Sequence, residues 1–131
     1  MTKEWEAVGK ATYVAFTSYR KDGTPVATPV WIAPSDGKLY FLSETDAYKV
    51  KRLRRNAQVT LQACDIRGRV VEGAPIVPAT ARPLDPAETP RVRKILNRKY
   101  RILGPIAALG GKLTAAPGSR TPIEISPPTT T

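Results

Sequence analysis

The sequence predicts a mainly β domain, a small antiparallel barrel with α-helices inserted between its strands. Three observations point there. Short runs in which apolar and polar residues alternate recur along the chain, and period-two alternation marks a half-buried strand. Turn chemistry separates these runs at Lys21-Asp22-Gly23-Thr24, Ser35-Asp36-Gly37 and Arg67-Gly68; Asp-Gly between two strand-like runs favours a tight hairpin. Stretches of helical periodicity are inserted among some six short strands, which reads as a small barrel with helical decoration.

Taken in order, Lys3 to Lys10 is expected to form a short helix capped by Thr2, with Trp5 and Val8 on one face. Thr12 to Tyr19 is the first strand, with Val14 and Phe16 on one side and Tyr13, Ala15 and Thr17 on the other. Pro25 to Ile32 is its hairpin partner. Pro29 has no amide N–H to give a neighbour, so this strand is expected at an edge or a bulge. Lys38 to Ser43 is the third strand. Ala47 to Asn56 then reads as a basic helix in which Val50 and Leu53, three apart, share the inward face and are flanked by Lys49, Lys51, Arg52 and Arg55.

Gln58 to Cys64 is the fourth strand: Val59, Leu61 and Ala63 alternate with Gln58, Thr60 and Gln62. Val70 to Glu72 and Ile76 to Leu84 are strand-like but broken by Pro75, Pro78 and Pro83. Pro86 to Tyr100 is the longest helix, with Asp85 at its N-cap and Glu88 three residues on, the spacing of a capping box. Its inward stripe is Val92, Ile95, Leu96 and Lys99/Tyr100. A further short helix is expected from Ile106 to Leu113, after Gly104-Pro105, and a last strand from Pro122 to Ser126. Residues 1–126 form one expected domain, and 127–131 a disordered tail.

Composition narrows the function. A chain of 131 residues can bury a core without staples. Its net charge of +10 implies an acidic partner: nucleic acid, an anionic membrane surface or a phosphorylated small molecule. The charge is clustered. Between Asp46 and Asp65 there are five bases and no acid, and between Glu88 and Glu124 there are eight. Histidine is absent, which excludes imidazole acid–base chemistry, His-based triads and His metal sites. With a single cysteine, Cys64, no intramolecular disulfide can form and a zinc site is nearly excluded. The start carries no apolar leader, and no apolar run approaches the roughly 20 residues that span a bilayer. A soluble cytoplasmic domain is therefore expected, in which any catalysis comes from a bound cofactor or from Asp, Glu, Lys, Tyr or Ser.

The basic helix allows several readings. It can be a solvated face, a nucleic-acid contact or the seat of an anionic ligand. Five neighbouring bases repel one another, which favours a ligand. Only Tyr48 adds an aromatic near the cluster, and no helix-turn-helix or RNA-binding signature is present, which disfavours nucleic acid. Trp31 reads as a core or interface residue or as a platform for a ligand ring. Cys64 reads as inert packing. Arg98 and Tyr100 read as helix surface, with a place in a substrate pocket as the alternative.

Two stretches taken together, KDGTPVATPVW and SETDAYKVKRLRRNAQVTLQACDIRGR, resemble the flavin- and deazaflavin-binding split β-barrel proteins, often called pyridoxamine-phosphate-oxidase-like. The pattern is nearest to the actinobacterial subgroup that uses coenzyme F420. The likeness runs on through TARPLD and the RKY segment at Arg98 to Tyr100, covering about residues 5 to 105. Two places depart from it: Tyr48 stands where many relatives have a small residue, and Pro75, Pro78 and Pro83 interrupt what is usually a cleaner strand. The resemblance implies an FMN-binding split-barrel-like fold and a homodimer with two cofactor sites at its interface. It implies that Thr28, Pro29, Val30 and Trp31 line the cofactor ring, and that Ser43, Thr45, Lys49, Lys51 and Arg52 hold phosphate. The implied activity is a reductase acting on a small organic substrate with coenzyme F420. FMN in the same barrel is the first alternative, a non-enzymatic coenzyme carrier the second, and a nucleic-acid binder the third.

Overall fold

A computed structural model describes residues 3–44, 48–100 and 120–128. Its strands form one seven-stranded antiparallel sheet in the order β2-β1-β5-β6-β7-β4-β3. The elements are α1 (Lys3–Lys10), β1 (Tyr13–Tyr19), β2 (Pro25–Val30), β3 (Ala33–Ser35), β4 (Lys38–Glu44), α2 (Tyr48–Arg55), β5 (Gln58–Cys64), β6 (Val77–Pro83), α3 (Thr89–Tyr100) and β7 (Arg120–Ser126). A 3-10 helix, Pro86–Glu88, leads into α3.

Local chemistry sets the hairpins. Asp36 and Gly37 both have positive φ, 51° and 82°, the conformation a two-residue turn needs to match the twist of its strands, so β3 and β4 meet at Ser35 and Lys38. The first hairpin closes differently. The Gly23 N–H donates to Arg20 O, and the Asp22 carboxylate accepts from the Thr24 N–H. Its ladder then runs from Tyr19↔Pro25 to Val14↔Val30.

The expected strand from Pro25 to Ile32 stops at Val30. Trp31 and Ile32 leave the ladder, and Ala33–Ser35 pairs with β4 instead. The reason is topological. β2 and β3 are the two edges of the sheet yet are consecutive in the chain, so Trp31-Ile32 carries the backbone from one edge to the other. This dipeptide is the seam of the barrel. Val70 to Glu72 is also not a strand: Val70 makes an isolated bridge to Cys64, the Val71 N–H donates to Ala63 O, and the chain turns at Glu72. The prolines of β6 are accommodated because each sits where the strand has one neighbour. Pro78 faces Thr60 of β5 before the ladder with β7 begins at Thr80, and Pro83 faces Ile123 of β7 after the ladder with β5 has ended. The expected helix from Ile106 to Leu113, the Thr2 cap and the end of the tail lie outside the described residues.

Two cores result. The barrel interior is filled by Val14, Phe16, Leu39, Phe41, Val59, Leu61, Ile123 and Ile125, closed by Trp5 and Val8 of α1 and by Val50 and Leu53 of α2. The second core lies on the outer face, where Val92, Ile95, Leu96 and Tyr100 of α3 cover Ala33 and Tyr40. Asp85 caps as expected, accepting from the Ala87 N–H, while the Glu88 carboxylate turns to Arg91 at 3.3 Å.

Candidate functional site

At one end of the barrel the apolar filling gives way to a polar layer. Phe16 and Phe41 meet inside it with ring centroids 4.8 Å apart and tilted by 59°. Two residues further along each strand, on the same inward face, stand Ser18 and Ser43. Ser43 is opposite Thr121 of β7, and all three hydroxyl residues are buried. The helix α2 lies across this end against β1 and β6, held by Val50 and Leu53. From it Arg52 reaches down and donates from Nη1 to Ser18 Oγ at 3.2 Å. Lys51, Arg54 and Arg55 are exposed on the same helix. A buried hydroxyl layer under a guanidinium, with further cations on the outer surface, suits a phosphate group by both charge and donor geometry.

Of the residues expected to hold phosphate, Ser43 is thus in the buried layer, Arg52 is half-buried over it, and Lys51 is on the open face. Lys49 lies on the first turn of α2, and Thr45 falls outside the described residues. Ser18 and Thr121 were not expected. Ser18 could have been found from the sequence, two residues past Phe16 on its face; Thr121 comes from a strand some eighty residues from β4 and carries no local signal.

The expected ring-lining residues sit elsewhere on the barrel. Thr28, Pro29 and Val30 end β2, whose far edge has no strand partner among the described residues. Trp31 follows on the seam. Its indole stacks on the Tyr100 ring at 4.6 Å and 12°, with Tyr13 tilted beside it at 6.2 Å. The stretch 66–76 runs close by, since a side chain at Gly68 would lie 3.7 Å from Pro29 Cδ. That stretch is pinned by the Asp65 carboxylate, which accepts from the Arg67 and Arg69 N–H groups, and by Gln62, which donates to Ala74 O. It nevertheless carries every large apolar side chain found exposed among the described residues: Ile66, Val70, Val71 and Ile76.

Tyr100 is not helix surface. It is fully buried, and its hydroxyl accepts from the Ile32 N–H at 2.9 Å while lying 2.9 Å from Thr12 O and 3.0 Å from Ile32 O. One hydroxyl proton serves one of those carbonyls at a time. Burial pushes its pKa upward. Lys99 beside it donates to Ala11 O at 2.6 Å and to Ile32 O at 2.5 Å. Burial lowers its pKa to about 8, so the ammonium still predominates at neutral pH. The Cys64 thiol is pushed up, first by burial and then by Asp65, which fits the inert role expected of it.

The family model for pyridoxamine 5'-phosphate oxidase matches residues 1–127. No curated protein matches the sequence. Among solved structures, a conserved hypothetical protein from Mycobacterium tuberculosis superposes with a TM-score of 0.68 at 19% identity, covering 98% of this chain and 82% of that one. A protein described as an F420 reductase superposes with a TM-score of 0.63 at 21% identity over 98% of this chain and 97% of the other. A FAD-binding protein from Mesorhizobium loti gives 0.65 at 18% identity, over 98% and 91%. At these identities the superpositions establish the fold: a mostly β split barrel. Among the described residues, no helix is long and apolar enough to cross a membrane.

Proposed function

Because the chain belongs to the pyridoxamine 5'-phosphate oxidase family, we propose that it is a split-barrel oxidoreductase that uses coenzyme F420 to reduce a small organic substrate. The observation that carries this reading is the cationic end of the barrel, where Arg52 covers the buried Ser18 layer and Lys51, Arg54 and Arg55 surround it. A phosphodiester placed there would meet charge-assisted donors. When bound, the deazaflavin would supply the hydride chemistry. The residues of the chain would bind, orient and shield it, a division of labour that suits a protein without histidine. Thr28 to Trp31 would line the ring, with the open edge of β2 offering backbone donors and acceptors. FMN is the alternative cofactor. The net charge of +10 and the eight bases between Glu88 and Glu124 favour the polyglutamylated coenzyme over a ligand with one phosphate group.

Support for a homodimer comes from the 66–76 stretch. Ile66 and Ile76 are each about two-thirds exposed, at 66% and 64%, and they lie on the segment that runs beside Pro29. A second copy docked there would bury apolar surface and close the ring slot in one step. Light scattering at micromolar concentration should give twice 14.3 kDa, and Ile66→Glu combined with Ile76→Glu should shift the protein to monomer. A wild-type monomer, with or without cofactor, would remove the interface from the reading.

The absorbance spectrum of purified protein, then fluorescence titration with deazaflavin and FMN, tests the cofactor. Lys49→Ala and Arg52→Ala should each weaken binding by about tenfold to a hundredfold, the equivalent of losing one charge-assisted hydrogen bond. Arg54→Ala should matter less. Longer glutamate tails should bind more tightly, and that gain should shrink with salt, because exposed charges are screened over about 8 Å at 0.15 M. Equal losses in all three variants, seen only at low salt, would make α2 a diffuse field rather than a phosphate site. Binding without turnover against any reducible substrate would favour a coenzyme carrier.

A further inference from the structure

We infer that Lys99 and Tyr100 are positioning residues: they latch the barrel seam and thereby set the pose of Trp31 beside the open edge of β2. This rests on the reading that Trp31 lines the cofactor ring, and it adds a second layer that the reading did not include.

The argument starts from backbone accounting. A strand residue has its N–H and C=O satisfied by a neighbouring strand, and a buried peptide group left without a partner is costly. Ile32 is fully buried but belongs to no strand, because the chain there is crossing between the two edges of the sheet. Its N–H donates to the Tyr100 hydroxyl, and its carbonyl accepts from Lys99 Nζ, with Tyr100 at 3.0 Å. The same two side chains also hold Ala11 O and Thr12 O, where α1 passes into β1. Two adjacent residues at the end of α3 therefore tie together three points of the chain: the α1–β1 junction, the seam and α3 itself.

The tie reaches Trp31 twice. Its neighbour Ile32 is fixed through the backbone, and its indole lies flat on the Tyr100 ring at 4.6 Å. A near-parallel stack leaves one indole face covered by Tyr100 and fixes the plane of the other. A ring slot needs its wall set to within about 0.5 Å and 10–20° by surrounding contacts. Neither Thr28 nor Val30 can supply that, since β2 has a strand partner on only one side among the described residues. Lys99 is suited to the task because an ammonium can serve two carbonyls at once. Its Nζ also lies 4.8 Å from the centre of the Tyr100 ring, so the cation spans two backbone carbonyls and an aromatic face.

The test reads Trp31 directly. The chain has two tryptophans, Trp5 and Trp31, so protein made with 5-fluorotryptophan should give two fluorine NMR signals, assigned through Trp31→Phe. Lys99→Met keeps the length of the side chain and removes the donor. Tyr100→Phe keeps the stacked ring and removes the hydroxyl. In ligand-free protein each variant should shift or broaden the Trp31 signal and leave the Trp5 signal in place. Titrated with FMN and with a polyglutamylated deazaflavin, each should bind about tenfold more weakly, with the salt dependence unchanged because the phosphate contacts are untouched. An unmoved Trp31 signal in both variants overturns the inference. So does collapse of both signals together, which would make the pair a general support of the core. If wild-type protein binds neither probe, the cofactor reading fails separately, and the latch is then decided by the ligand-free Trp31 signal alone.

Discussion

Phe41→Ala should lower the unfolding free energy by about 4 kcal/mol, within the range for emptying a buried aromatic site. Phe41 sits near the middle of β4, nearly inaccessible, with Phe16 against its ring and Ile123 opposite it on β7. β4 is laddered to β7 at Phe41, and β1, which carries Phe16, is laddered on both sides, so these walls resist collapse into the space that a phenyl group leaves. Against a total of about 5–15 kcal/mol for a domain of this kind, the loss is large. Urea unfolding should show it as a lower midpoint at unchanged slope, while Phe41→Leu costs less than half as much. The result also bears on function. If the interior is a packed core and the cofactor sits on the surface of the barrel, the folded fraction of Phe41→Ala should bind deazaflavin as wild type does. A cost below 1 kcal/mol accompanied by lost binding would instead place the ligand inside the barrel.

How far the sequence revealed this fold depended on the range of the interaction concerned. The Asp22-Gly23 and Asp36-Gly37 turns were legible because the residues that need positive φ or an Asx hydrogen bond are in the turn itself. Likewise α1 and β5 were readable to the residue, and the end of α2 to within one residue, since their patterns of burial are local. The seam was not. Pro25 to Ile32 has the alternation of one long strand, and nothing within it announces that its backbone partners after Val30 come from α3, up to 68 residues away. The Val70 to Glu72 stretch misled for a related reason. Its β-branched residues have strand propensity, but Gly68 and Gly73 at positive φ bend the chain on both sides.

The candidate site divides in the same way. The basic helix was evident from charge and spacing alone, as was the inward pair Val50 and Leu53. The partner of Arg52 was not, because Ser18 lies on another strand, 34 residues before it. Tyr100 was correctly placed on the inward stripe of its helix yet also read as surface. Its hydroxyl resolves the conflict: a buried Tyr keeps a polar tip only where acceptors and donors await it, and here the seam provides both. The roles proposed for Thr28 to Trp31 rest on resemblance to a family; periodicity could not suggest them, since a strand edge looks the same whether it faces solvent, a ligand or a second subunit.

Glu124→Leu should cost about 3 kcal/mol and should change how stability responds to acid. Glu124 is buried on the outer face of β7, opposite Tyr40 on one side and Arg82 on the other. Its carboxylate accepts from Arg82 Nε at 2.9 Å, from the Tyr40 hydroxyl at 3.0 Å and from Lys38 Nζ at 3.3 Å. Arg82 and Lys38 are substantially exposed, so their ion pairs alone would contribute little. The larger loss is local: the buried Tyr40 hydroxyl is left without its acceptor, and two cations, with Arg91 already 5.1 Å over the Tyr40 ring, are left facing each other. Burial pushes the Glu124 carboxyl up, but hydrogen bonds from Arg82, Tyr40 and Lys38 outweigh it and hold the pKa below its ordinary value of 4.5. A depressed carboxylate pKa means that the unfolded chain takes up the proton first. The stabilisation is therefore complete above about pH 5 and is lost as pH falls below 4.5 through the folded value. Wild type should lose stability over that window, and Glu124→Leu should lose less, so the two unfolding curves converge in acid. Glu124→Gln separates the effects, since it keeps an acceptor for Tyr40 but removes the charge; it should fall between the two at pH 7. Parallel curves for wild type and Glu124→Leu from pH 7 to pH 3 would show that Arg82 and Lys38 do not act on this carboxylate in solution.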